Sequence, residues 1–452
     1  MVRIRNKSTT RPALLAVSGL LVALGVEFVD ELVDGTQSAA LPLIRADLAL
    51  SYFQIGLLAS VPLLLGSLLE LPVGLLSGDA SRRWRLILGG GAVFTGSLAV
   101  AAAAHSFWVL LVALVIFYPA SGAFVGLTQS ALMDADPGRR AQHMARWNLA
   151  GSAGAVAGPG VLVVAIAIGG SWRLAYLLLA GAAVLACLAV IRSGPARSGP
   201  ARSSPARSGP IRTASTGPAG STGPGAACKP DALDAAGASG GPEDLDGGDA
   251  DSADDSVPLR QAIGALRRRD VRRWLLLLEI EDLLLDVFSG FLALYLVAVA
   301  HASPAQAALG VAVRLAAGLA GDVLTIWLLE RLGSAAVLRA SAIIAMAAYP
   351  AFLAVPGLVP KLVILAAVSI ATAPWYPIIA AGLYQSLPGR SGVAVSLTSA
   401  ASLLGALGPL AVGLLAQRFG LAWAVTGLAI APAVIFLAAP PGPGRAPADQ
   451  ER

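Results

Sequence analysis

The stretch ALLAVSGLLVALGVEFVDELVDGTQSAALP, residues 13–42, decides the fold class. A helix needs about 20 mostly apolar residues to cross a bilayer, and this stretch is longer. Its apolar residues are continuous rather than alternating, which favours helices over a closed barrel. Similar runs recur to about residue 440, and the chain of 452 residues is 56% hydrophobic and 13% charged, with a mean hydropathy of +0.74. We therefore predict an all-α polytopic membrane protein and exclude a soluble globular one.

The apolar runs predict about twelve transmembrane helices in two six-helix bundles. The first six spans are predicted at residues 13–42, 53–77, 84–104, 107–133, 144–168 and 173–192. The second six are predicted at residues 274–299, 305–329, 336–355, 360–384, 392–416 and 421–439.

A polar segment separates the two groups of spans. It opens with a five-residue repeat, RSGPA, continues rich in Gly, Ser, Thr and Pro, and ends in an acidic run from Glu243 to Asp255. Such a composition buries too little apolar surface to fold, so we predict a disordered cytoplasmic linker. The predicted domains are an N-terminal bundle at 1–192, the linker at 193–258, a C-terminal bundle at 259–440 and a cytoplasmic tail at 441–452.

The C-terminal bundle begins with a basic segment, Leu259 to Trp274, which reads as an amphipathic lead-in helix. Its arginines are Arg260, Arg267, Arg268, Arg269, Arg272 and Arg273. Two interpretations stay open at this point. The arginines either bind the headgroups of an anionic leaflet or only enforce the positive-inside topology.

The remaining basic residues indicate the orientation. The N-terminus, the linker and the connectors with Arg82, Arg139 and Arg331 fall on one side, whereas the opposite connectors hold single charges such as Arg45 and Lys361. Both termini are therefore expected in the cytoplasm, with the chain in the plasma membrane (a bacterial inner membrane). The formal net charge of +5 is explained by this topology, so we predict no nucleic-acid partner.

The first span also contains one copy of a sequence that is repeated in the second half of the chain. EFVDELVD at residues 27–34 matches EIEDLLLD at residues 279–286, and the same offset pairs Ser51 with Ser303 and Gln54 with Gln306. We infer a duplicated six-helix unit. Parallel repeats of this kind, joined by a linker, are a transporter architecture with the substrate site between the halves near the midplane.

Carboxylates inside the predicted spans mark that site. An acidic residue at the centre of a lipid-facing helix costs about 2.5–3.5 kcal/mol, so carboxylates within one ~100° arc of the first helix are expected to face a polar cavity. Crowded carboxylates in a low dielectric bind protons more readily, which suits proton coupling. The alternative is that some of them lie at the interface or in salt bridges. The predicted substrate and proton pathway is Glu27, Asp30, Asp34, Glu70, Glu279, Asp282, Asp286, Arg314 and Asp322. Glu31 and Glu281 are left outside it.

Two motifs carry a resemblance to a known family. The connector after the second span reads GLLSGDASRR, residues 74–83, and the fifth span reads GSAGAVAGPG, residues 151–160. With them, nearly all of the chain outside the linker resembles the major facilitator superfamily, and the acidic first helix resembles its drug/proton antiporters. The resemblance implies a helix-bend motif and a cytoplasmic gate. The bend motif is Gly154, Gly158 and Pro159, and the gate is Asp79, Arg82, Arg83, Glu330 and Arg331.

The function predicted from these features is secondary active transport. We expect a proton-coupled antiporter, acting as a monomer, that exports a small cationic or neutral organic solute by alternating access. Proton-coupled uptake is the alternative, and divalent cations are a further substrate class. A receptor or an enzyme is disfavoured, because His105, His143 and His301 lie near no candidate nucleophile. No cofactor or metal site is predicted.

Overall fold

The computed structural model describes residues 10–76, 80–135, 140–194, 265–387, 397, 401 and 403–439, and every structural statement below concerns these residues. They belong to one compact unit. Nearly all of the predicted linker, the predicted tail, Arg260 and Asp79 lie outside the described residues.

Helices form the regular structure of the described residues, and we number them in chain order. The first half contains α1 (Thr10–Asp47), α2 (Tyr52–Leu76), α3 (Ala80–Ala102), α4 (Phe107–Ala135), α5 (Arg140–Ala167) and α6 (Trp172–Ser193). The second half contains α7 (Arg269–Asp282, a π-helical turn at Leu283–Val287, then Phe288–Ala298), α8 (Pro304–Arg331), α9 (Ser334–Ala354), α10 (Leu358–Ser386), α11 (Gly408–Phe419) and α12 (Leu421–Ala438).

These helices confirm the predicted fold class. Within the described residues, 9 helices are long and apolar enough to cross a membrane. The other three are α1 and α7, which carry the predicted carboxylates, and α11, which lies in the shorter apolar stretch Leu403–Phe419. One local expectation was wrong. His143, which falls in the connector before the predicted fifth span at 144–168, lies inside α5 and is buried, because α5 begins at Arg140.

The duplication is visible in how α2 and α8 begin. The Ser51 hydroxyl accepts a hydrogen bond from the Gln54 backbone N–H at 3.2 Å, and the Gln54 amide oxygen accepts one from the Ser51 N–H at 2.9 Å. Ser303 and Gln306 make the same reciprocal pair at the same two distances. This capping box satisfies two backbone donors that a helix start leaves unpaired. The repeat offset therefore pairs residues that cap their helices in the same way.

The two halves contact each other along α2 and α11, from the end of the molecule where α2 begins and α11 ends, which we call the distal end, inwards to Ser60 and Leu410. The Tyr52 N–H donates to the Gln417 side-chain oxygen at 3.1 Å, and the Leu410 N–H donates to the Ser60 hydroxyl at 2.9 Å. A Cβ added at Gly413 would lie 2.6 Å from the Tyr52 carbonyl oxygen. Glycine is therefore required for the close approach of α2 and α11.

Candidate functional site

A polar cavity of about 140 Å³ lies between α1 and α4. From α1 it is lined by Asp30, Glu31, Asp34 and Gln37, and from α4 by Phe117, Tyr118 and Ser121. A larger space of about 400 Å³ lies between α1 and α6, but its lining is apolar, from Leu21 and Val22 to Ala189. Such a groove on the outside of a spanning bundle suits lipid chains. We place the candidate site at the polar cavity.

Helical periodicity explains why α1 supplies the polar wall. Asp30, Asp34 and Gln37 recur at intervals of four and three residues, so they share one side of the helix. The Ser121 hydroxyl donates a hydrogen bond to the Asp30 carboxylate at 2.7 Å, which joins the α4 wall to the α1 wall. Directly after Ser121, α4 passes through the π-helical turn Gly122–Gly126. Turns of this kind are frequent at functional sites.

Glu27 belongs to the predicted arc of carboxylates on α1 but lies in different surroundings. Its side chain is buried against α5, and a Cβ added at Gly151 would lie 2.6 Å from one carboxylate oxygen. The buried Trp147 lies one turn earlier on α5, on the same side of that helix as Gly151. A residue larger than glycine at position 151 would displace this carboxylate.

The predicted helix-bend motif packs α5 closely against α1. A Cβ at Gly154 would collide with the Phe28 carbonyl oxygen, and one at Gly158 would lie 2.6 Å from the Thr36 backbone nitrogen. The buried Thr36 hydroxyl lies 2.8 Å from the Gly158 carbonyl oxygen and can donate to it. Helix α5 continues through Pro159 without a break. The small residues therefore let two backbones touch, as in other membrane helix pairs.

The second half repeats the acidic spacing with other neighbours. Glu279 and Asp282 are half-buried and face the segment just before α11, where a Cβ at Gly405 would lie 3.0 Å and 2.9 Å from their carboxylate oxygens. Asp286 lies in the π-helical turn of α7. The Arg314 guanidinium of α8 donates to the Leu285 carbonyl oxygen in that turn. A π-helical turn shifts the backbone hydrogen-bond pattern, and the arginine supplies a donor there.

The other predicted site residues are dispersed. Glu70 lies on α2, and Asp322 lies exposed on α8, outside the described lining of the cavity. In the predicted gate, Arg83 forms a 2.7 Å salt bridge with Asp134 at the end of α4. The Arg331 guanidinium lies 4.1 Å above the Trp327 ring. The remaining described gate residues, Arg82 and Glu330, are exposed helix-end positions.

The cavity also contains residues that the sequence reasoning missed, namely Glu31, Gln37, Phe117 and Ser121. Glu31 shares the acidic arc of α1, and Gln37 lies one turn beyond Asp34, so the 3.6-residue period could have found both. Phe117 and Ser121 flank Tyr118-Pro119 on a different helix, and sequence alone carries no signal that α4 faces α1 here.

Comparison with known proteins identifies the family. The model of the Major Facilitator Superfamily matches residues 23–298, which is more than half of the chain. The chain belongs to the Major Facilitator Superfamily. The comparison with curated protein sequences found no match to this chain.

Solved structures of other superfamily members share the fold. One is a bacterial homologue of the human lysosomal transporter Spinster in an inward-facing, unoccupied conformation, with 18% identity, a TM-score of 0.66 and coverage of 96% of this chain and 98% of that one. Another is the nucleoside transporter NupG, with 12% identity, a TM-score of 0.66 and coverage of 94% of this chain and 98% of that one. Family and fold together make this chain a multi-pass membrane transporter.

Proposed function

We propose that this superfamily member is a proton-coupled antiporter that exports a small organic cation from the cytoplasm. The observation that carries the proposal is the lining of the polar cavity. Three carboxylates, one amide and one serine hydroxyl line it together with the rings of a phenylalanine and a tyrosine, and its described lining contains no lysine or arginine. Carboxylates attract an ammonium group, and the face of an aromatic ring binds a cation through its quadrupole.

Proton coupling follows if the cation and protons compete for the same carboxylates. Three acidic groups within two turns of α1 repel each other when all are ionised, and a low dielectric strengthens the repulsion. Either a proton or a bound cation relieves it. A carboxylate that releases its proton when the cation binds exchanges the two species, which is the elementary step of antiport.

Alternating access requires that the two halves separate at one end while closing at the other. The α2–α11 contacts close the distal end, at the connector between α1 and α2. We infer that the termini are cytoplasmic, because arginines concentrate at the opposite end. In that orientation the described conformation is closed towards the outside.

Orientation has a direct test, since Cys228 is the cysteine of the segment between α6 and α7. In right-side-out vesicles of a Cys187→Ser variant, a membrane-impermeant maleimide should label Cys228 only after the membrane is permeabilised. Labelling of intact vesicles would place the termini outside and contradict the proposed direction.

The substrate class and direction are tested in two steps. A thermal-shift screen of small organic amines and quaternary ammonium ions at two pH values should find ligands that stabilise the purified protein, since binding to the folded state raises its stability by mass action. We expect the stabilising ions to stabilise more at the higher pH, where fewer protons compete. In proteoliposomes, an outward cation flux should then follow an inward proton gradient. Flux of cation and proton in the same direction would favour proton-coupled uptake.

A further inference from the structure

A buried tyrosine of α6 lies behind the one amide side chain of the polar cavity. Gln37 is half-buried on α1 and lines the cavity beside Asp34. The Tyr176 hydroxyl lies 3.5 Å from the Gln37 side-chain oxygen and can donate a hydrogen bond to it. Tyr176 is fully buried and lies outside the described lining of the cavity. A buried phenol requires a polar partner, and Gln37 is the partner recorded for this one among the described residues.

The ring of Tyr176 is held in place from the distal end. The Trp172 ring, one turn earlier on α6, contacts it edge to face, with 5.7 Å between the ring centres. Trp172 is itself buried, and its indole N–H donates to the Asp47 carboxylate at the end of α1 at 3.2 Å. Trp172 therefore joins α6 to α1 and fixes the position of the Tyr176 hydroxyl before any ligand enters the cavity.

The two ends of the Gln37 amide have opposite hydrogen-bonding properties. The oxygen only accepts, whereas the NH₂ group only donates. With the oxygen towards the Tyr176 hydroxyl, the NH₂ group is left for the cavity. The reverse orientation would turn the amide oxygen towards a lining that already contains three carboxylates, and it would leave the phenol without its acceptor. Both walls therefore favour an amide that presents N–H donors to the cavity.

We propose that Gln37 is a specificity-determining residue that binds an oxygen acceptor of the exported cation, and that Tyr176 is the positioning residue that orients its amide. This inference rests on the proposed export of an organic cation. Asp34 and Gln37 are three residues apart on α1, so their Cβ atoms lie about 5–6 Å apart, roughly the span of three carbon atoms between a nitrogen and an oxygen. The substrate class is accordingly an amine or quaternary ammonium ion that carries an ether, hydroxyl or carbonyl oxygen at this spacing.

The test uses two cations of nearly the same shape that differ in one oxygen. (3-Methoxypropyl)trimethylammonium has an ether oxygen, which accepts hydrogen bonds but cannot donate them, where pentyltrimethylammonium has a methylene group. Isothermal titration calorimetry of the full-length protein in detergent gives a dissociation constant for each ion. We expect wild type to bind the ether ion about threefold to tenfold more tightly, which is the ratio that one net hydrogen bond supplies.

Three conservative variants locate the origin of this preference. Gln37→Met keeps the length of the side chain and removes the amide, so it should bind both ions with equal affinity. Tyr176→Phe removes only the hydroxyl, so the amide can turn and the preference should fall below about twofold. Tyr349→Phe is the control, since Tyr349 is also fully buried, and its hydroxyl donates to the Val425 carbonyl oxygen in the second half of the chain at 2.8 Å. The control should keep the wild-type ratio, and a general loss of stability would weaken both ions alike.

The outcomes separate this inference from the proposed function. Equal affinities of wild type for the two ions would overturn the role of Gln37 and leave the export of organic cations standing. An undiminished preference in Tyr176→Phe would overturn the positioning role, and so would an equal loss in Tyr349→Phe. Binding of neither ion by wild type would also overturn the inference. Only if the screen of amines and quaternary ammonium ions found no ligand as well would the proposed function be overturned with it.

Discussion

Helices α1 and α7 carry carboxylates at the same spacing, but the two helices hold them in different surroundings. Helix α1 is continuous, and Asp30 and Asp34 line a polar cavity with aromatic rings and a serine hydroxyl. Helix α7 passes through a π-helical turn whose Leu285 carbonyl oxygen accepts a hydrogen bond from Arg314. Its Glu279 and Asp282 face Gly405, just before α11. The same acidic spacing therefore lines a polar cavity in the first half, whereas in the second half it lies beside a π-helical turn that an arginine contacts.

The largest expected effect tests directly whether the carboxylates of α1 and α7 differ in their role in transport. Asp34→Asn should lower transport of the screened cation about a hundredfold or more, because removing one member of a partly buried charge pair costs about 2–5 kcal/mol. Asp282→Asn should lower it far less, since Asp282 does not line the described cavity. Initial rates in proteoliposomes with an imposed proton gradient measure both. Equal losses in the two variants would show that the halves contribute equally.

The next effect concerns how tightly each half packs its acidic helix. Gly154→Ala should lower the stability of the solubilised protein by about 1–3 kcal/mol, because the added Cβ meets the Phe28 backbone, which cannot move aside. Gly408→Ala should lower it less, since its Cβ would meet side-chain methyl groups of Val287 and Leu283 at 3.0 Å and 3.1 Å.

Tryptophan fluorescence during heating measures both glycine variants. Gly160→Ala is the control, because an added Cβ there meets nothing within 4 Å. A Gly408→Ala variant as unstable as Gly154→Ala would mean that both halves pack equally tightly around their acidic helices.

The smallest effect should be the same in both halves. Ser51→Ala and Ser303→Ala each remove one member of a capping box, which costs about 0.5–2 kcal/mol. Because the two boxes have matching hydrogen-bond distances, we expect matching decreases in the unfolding temperature. Ser334→Ala is the control, since Ser334 follows the cap of α9 and no side chain caps that helix. Unequal decreases would show that the surroundings, rather than the box, set its contribution.

The sequence predicted the elements that depend on local periodicity. The twelve spans follow from long apolar runs, and one constant offset pairs Ser51 with Ser303, although it does not predict that both cap a helix. The sequence did not predict that the carboxylates of α1 lie in two different surroundings. Glu27 turns to α5 because Gly151 leaves room for it, and that contact joins residues far apart in the chain. The π-helical turn at Leu283–Val287 has a sequence, LLLDV, that suits an ordinary helix equally well.

The central claim is that an organic cation displaces protons from the α1 carboxylates. It is tested most directly by proton release in weakly buffered detergent solution, with a pH indicator present, when the strongest stabilising ion from the screen is added. Wild type should release protons as the cation saturates the protein, and Asp30→Asn/Asp34→Asn should release almost none. The variant Asp270→Asn changes an exposed carboxylate at the start of α7 and should behave as wild type. Saturation of wild type without proton release, or full release by the double variant, would contradict the account.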